Sequence, residues 1–173
     1  MLPWHPFIIH FPLALTFLLP IGILLQAILI KKNLISPKAW IGIILIQMVI
    51  TGTGYLAMET GEDDEKIVKT VVEKKYIHEH EEAAEKYVGV SVLTLSLSVA
   101  VYFLAPALQL PIRLGILLLS FLACYFAYDT GYRGGELVYV HGAAEAYDQE
   151  NKDETLDEGE VFLTPTEEEL ISE

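Results

Sequence analysis

Residues 7–30 read FIIHFPLALTFLLPIGILLQAILI, a run of 24 residues in which His10 is the only ionisable side chain. A helix crossing a hydrocarbon core about 30 Å thick needs about 20 predominantly apolar residues. In lipid every backbone polar group must be satisfied internally, and an α-helix does this within one segment. Three further runs, near 39–58, 88–104 and 110–128, have the same character. The expected fold is all-α: an integral membrane four-helix bundle over residues 1–142 and an acidic flexible tail over 143–173.

Composition agrees, with 53% hydrophobic residues and a mean hydropathy of +0.41. The N-terminus lacks the positive start of a secretory signal, so the first run is expected to be an uncleaved span. The single cysteine, Cys124, permits no disulfide within the chain, and no C-x-x-C-H motif offers covalent haem attachment. Any cofactor would be held by ligation and packing.

Charge is segregated. Residues 1–58 and 88–128 contain no Asp or Glu, and their only cations are Lys31, Lys32, Lys38 and Arg113. Four spans put those four on one side, at +4. The other side carries all 24 acids against seven Lys and Arg, at −17, which gives the net −13. The four cations occupy short connections beside helix ends, so the positive-inside rule predicts the lysine turn inside and the acidic side outside. No nucleic-acid partner is expected.

Local signals set the boundaries. Trp4 is a candidate interfacial anchor and Pro6 suits a first helical position. Pro12 and Pro20 each remove a ladder bond, which predicts kinks or a delayed start. Ser36 and Pro37 read as an N-cap and the start of the second helix. In the acidic and basic segment 59–75, Ile67, Val68, Val71 and Val72 recur at helical spacing, which predicts a short interfacial helix. The third helix is expected to start near Tyr76. Residues 164–167 carry a weak signal for a further short helix.

All five histidines belong to the acidic side. At 1.5 Å per residue, His10 lies about 31 Å from Lys31, His80 about 35 Å from Phe103, and His141 about 42 Å from Arg113 along unbroken helices. They therefore converge in depth at one rim of the bilayer, where gathered ionisable groups mark a functional site. His5 and His10 stand about 140° apart on an ideal helix and would face different partners. Within His78-Glu79-His80 the two rings lie about 200° apart, unlike the one-faced H-E-x-x-H of metalloproteases. Glu81 and Glu82 are either acceptors orienting a ligand imidazole or a solvated charge run.

Gly52 and Gly54 on the second helix, and Gly134 and Gly135 after the fourth run, permit close helix packing. They would equally let a flat macrocycle approach the backbone, with Arg133, Tyr55, Tyr132 and Tyr139 hydrogen-bonding its carboxylates.

The pattern resembles the family of bacterial membrane proteins catalogued as domain of unknown function 2231. The resemblance covers residues 3–142 and rests on His5-Pro6 with His10-Phe11-Pro12, on His80-Glu81, and on the stretch Gly134-Gly135-Glu136-Leu137-Val138-Tyr139-Val140-His141-Gly142. Members are found joined to, or encoded beside, Rieske and c-type cytochrome domains. The resemblance thus implies membrane electron transfer, with a c-type cytochrome or Rieske protein as partner or a larger redox complex as host. His78 has no place in the pattern.

The expected function is a b-type cytochrome-like electron-transfer subunit of the bacterial inner membrane, with histidines and tail extracytoplasmic. His5, His10, His80 and His141 are the candidate axial ligands. They suffice for two bis-histidine haems b, or for one with two structural histidines. The rivals are a quinone-reactive subunit using a histidine and Glu81, a non-haem metal protein, and a cofactor-free structural subunit.

Overall fold

Pro12 has no N–H to offer the carbonyl of Ile8, so a helix through the first apolar run loses a bond there. In the computed structural model, which describes residues 4–149, that helix is divided. α1 spans His5–Ile8 and α2 spans His10–Lys31, with Ile9 between them. Pro20, by contrast, lies buried inside α2.

The next turn follows its sequence signals. Asn33 adopts φ 57°, a left-handed conformation that Asn tolerates. Around it Leu34 N–H donates to Leu29 O and Asn33 N–H to Ile30 O, both at 2.9 Å. These are the paired bonds of a Schellman ending. Ser36 Oγ then accepts from Lys38 N–H at 3.3 Å. A 3-10 turn over Pro37–Trp40 leads into α3, Ile41–Val68. α4 spans Lys74–Ala100, a second 3-10 turn spans Val101–Phe103, and α5 spans Pro106–Tyr139.

Four helical stretches are long and apolar enough to cross a membrane: His5–Lys31, Pro37–Val68, Lys74–Phe103 and Ala107–Tyr139. The chain is an all-α multi-pass membrane protein. α2 packs on α3, α3 on α4 and α4 on α5, and contact between α2 and α5 closes the bundle; α1 packs on α3. Large apolar side chains such as Leu18, Ile21, Leu118 and Phe121 face outward, as lipid requires. The interior mixes Leu19, Ile23, Ile50 and Ile116 with buried Thr16, Gln47, Ser91, Thr94, Ser98 and Ser120. Small and hydroxylated residues let membrane helices approach closely and bond across the gap.

Two expectations at the histidine end are corrected. Residues 59–68 do not form a separate interfacial helix; they are the outer end of α3. At 28 residues α3 is about 42 Å long, more than the hydrocarbon thickness, so its last turns stand beyond it. Val68 and Val72 are buried with Ile77 and Ala143, and Tyr76, Leu137 and Tyr147 pack around them. Their apolar faces thus meet protein rather than lipid. Secondly, residues 143–149, expected within the flexible tail, are helical and bury Ala143 and Ala146. The rest of the acidic tail, with the signal at 164–167, lies outside the described residues.

Candidate functional site

Each of two histidines reaches across a helical hairpin to a backbone carbonyl of the neighbouring helix. His5 Nδ1 lies 2.7 Å from Ala57 O, and His80 Nδ1 lies 3.1 Å from Thr130 O. A carbonyl only accepts, so Nδ1 carries the proton in both rings. In a neutral imidazole that leaves Nε2 with the free lone pair, which is the arrangement of a metal-ligating histidine oriented by its other nitrogen. The two rings meet edge to face, with centroids 6.2 Å apart and planes at 86°.

The glycines explain how the rings get in. A helical side chain leans toward the N-terminus and covers the turn before it. The residue four positions on is therefore what screens a carbonyl from lateral approach. At Ala57 that residue is Gly61, and at Thr130 it is Gly134. A Cβ at Gly61 would lie 3.3 Å from His5 Cε1 and Nδ1, and one at Gly134 would lie 3.1 Å from His80 Cε1. Both glycines are occupied by an imidazole. Sequence reasoning missed Gly61 and both carbonyls. Gly61 did leave a signal, since a glycine inside a polar helical segment costs about 1 kcal/mol relative to Ala unless something needs the space.

The remaining candidates do not join this pair. His10, though it stands within the first apolar run, is exposed and makes no hydrogen bond among the described residues. With His5 turned inward, five residues of helix carry His10 round to another face. His141 stacks on Tyr76 at 3.7 Å and lines a small cleft with Glu79, Arg133, Glu136 and Leu137. His78 is exposed beside Glu81 and Glu82, at 3.6 and 3.3 Å, so those carboxylates face it and not a ligand ring.

The expected macrocycle platform is likewise redistributed. Gly52 and Gly135 have nothing within 4 Å of a built Cβ, while Gly54 packs against Tyr87 and Val88. Tyr55, Tyr132 and Tyr139 are exposed. Arg133 Nε donates to Asp129 and its Nη1 to Glu79, both at 3.1 Å, so the guanidinium already has carboxylate partners. No cluster of three or more His, Cys, Asp or Glu among the described residues is placed to hold a metal ion. A site with three or four protein ligands, as structural and catalytic zinc require, is not formed there. What the described residues do assemble is a pair of neighbouring imidazoles, His5 on α1 and His80 on α4, each held by a backbone carbonyl through Nδ1. No protein-family model, curated protein or solved structure matches this chain.

Proposed function

We propose that this protein is a membrane-bound electron-transfer subunit that holds one haem b, non-covalently, between His5 and His80. The observation that carries the reading is the pairing of two imidazoles, each tied to a carbonyl through Nδ1, with centroids 6.2 Å apart. Bound there, haem b supplies a one-electron iron couple. His5 and His80 would hold it through Nε2, while the Ala57 and Thr130 carbonyls fix the ring tautomers and limit their rotation. Two protein ligands on one iron would leave no position for oxygen, a chemistry of electron transfer rather than catalysis. One haem would account for this pair, and the reading assigns no ligand role to His10 or His141.

The resemblance of residues 3–142 to domain of unknown function 2231 supports the same class of function. It favours a c-type cytochrome or Rieske-type partner, with the protein in the bacterial inner membrane. The cations Lys31, Lys32, Lys38 and Arg113 in short connections favour a cytoplasmic lysine turn and an extracytoplasmic histidine end. The −17 on that end would draw a basic redox partner, through an attraction that weakens as salt rises.

The absorption spectrum of protein purified from haem-replete membranes tests the reading. A reducible low-spin Soret band is expected. His5→Ala or His80→Ala should lower haem content or convert it to high spin, whereas His10→Ala, His78→Ala and His141→Ala should leave it unchanged. No Soret band in the parent, or the parent spectrum in all five variants, refutes the assignment.

A further inference from the structure

The opposite end of the bundle holds a cation with no ion-pair partner among the described residues. Arg113 lies seven residues into α5, about 10 Å along the helix from its start, at the rim of the fourth span. Its side chain lines a cleft of about 140 Å³ with Pro37, Lys38, Val101, Tyr102 and Gln109. A water needs about 10–15 Å³ of such space, so the cleft is several waters in size and admits a polyatomic group.

The guanidinium is held but not satisfied. Its face lies over the Trp40 ring, with Cζ 4.7 Å from the centroid. Nη2 reaches only Gln109 Oε1, at 3.5 Å. Nε is buried and has no hydrogen-bond partner. Trp40 is itself fixed, donating from Nε1 to Ser98 O at 3.0 Å. On the other wall Tyr102 Oη donates to Lys38 O at 2.8 Å, which ties the lysine turn to the end of α4. The Lys38 side chain makes no ion pair among the described residues. No Asp or Glu exists in residues 1–58 or 88–128 to neutralise either cation.

A half-buried guanidinium with an orphaned donor, at a membrane rim that carries no acid, calls for an external anion. The planar fork of Arg matches phosphate, and Lys adds a point charge. We propose that this cleft binds the phosphate of a phospholipid headgroup, with Arg113 as the hydrogen-bonding anchor and Lys38 as the second charge. Phosphodiester and free phosphate share this chemistry. The position at the end of the spans selects the lipid, whose acyl chains continue along the exposed apolar faces of Leu110 and Leu114. The site is independent of the haem reading, being at the other end of the bundle.

Native mass spectrometry of the full chain in detergent tests it, with phosphatidylglycerol, diacylglycerol and inorganic phosphate as separate probes. Phosphatidylglycerol should be retained, and diacylglycerol and inorganic phosphate should not. Arg113→Gln should lower retention about tenfold, the cost of one hydrogen bond to a charged group. Arg113→Lys and Lys38→Gln should each lower it less, and Lys32→Gln, outside the cleft, not at all. Equal retention in Arg113→Gln and Lys38→Gln overturns the site even if one variant folds poorly, as does retention of diacylglycerol to the same extent. Binding of inorganic phosphate without the lipid overturns the lipid assignment.

Discussion

Gly134→Ala and Gly135→Ala, adjacent on α5, should have opposite consequences. A Cβ at Gly135 meets nothing within 4 Å, so that variant should gain the helix-propensity difference, about 1 kcal/mol. At Gly134 the same backbone gain is opposed by the His80 ring, whose Cε1 would lie 3.1 Å from the new Cβ. Carbon atoms rest about 3.5–4.0 Å apart, so the ring must retreat by roughly half an ångström. Its bond to Thr130 O is already 3.1 Å, close to the long end of a good N–H···O contact. Losing it costs about 0.5–1.5 kcal/mol, which offsets half or more of the propensity gain. The two variants should therefore differ by about 0.5–1.5 kcal/mol, Gly135→Ala being the more stable.

Equilibrium unfolding in mixed micelles of detergent and SDS measures this difference. A double-mutant cycle with His80→Ala isolates its cause, because without the ring Gly134→Ala should recover the full gain of its neighbour. Haem content gives a second readout: Gly134→Ala should reduce it and Gly135→Ala should not. If Gly134→Ala stabilises as much as Gly135→Ala, and His80→Ala shows no coupling to it, the ring does not sit against that glycine. The construction of the site would then be wrong.

Two further predictions concern the membrane frame. In a Cys124→Ser background, an impermeant thiol reagent should label Glu73→Cys in intact cells and spare Leu34→Cys; the reverse labelling would invert the proposed orientation. Tyr87→Phe should destabilise the bundle by about 1–3 kcal/mol, because Tyr87 Oη donates to Pro12 O at 3.2 Å and accepts from Thr16 Oγ1 at 2.6 Å deep in the interior. An unchanged SDS midpoint for that variant would mean the polar link carries no stability.

Hydropathy made the four spans legible, and local chemistry made their boundaries legible at Pro12 and Ser36. Depth along each helix was also readable, since rise per residue is fixed, and His5 and His80 do meet at one end. Rotation was not. His10 is exposed, an azimuth set by interhelical packing that one helix alone does not encode. The same limit applied to Val68 and Val72, whose spacing announces an apolar face without naming its partner. Gly134 was picked out as a glycine near the site, yet nothing in the sequence says that an imidazole, and not a macrocycle, fills its missing Cβ.

The two histidine contacts are one device used twice. In each helical hairpin the first helix supplies an imidazole near its start, and the second supplies a carbonyl with glycine four residues on: His5 to Ala57 and Gly61, His80 to Thr130 and Gly134. The histidine precedes its glycine by 56 residues in one hairpin and by 54 in the other. Tyr87 stands seven residues after His80, within about 20° of the same face of α4. It bonds α2 while His80 meets the ring of His5, so one stripe of α4 sets the rotation of both contacts. The hairpins differ where Pro12 breaks the first helix. His80 rides on the continuous α4, whereas His5 rides on a four-residue segment that buries no side chain fully. The bond from His5 to Ala57 thus both orients its ring and fastens α1 to α3. His80 needs its own bond only for orientation, because the helix beneath it is already fixed by the core.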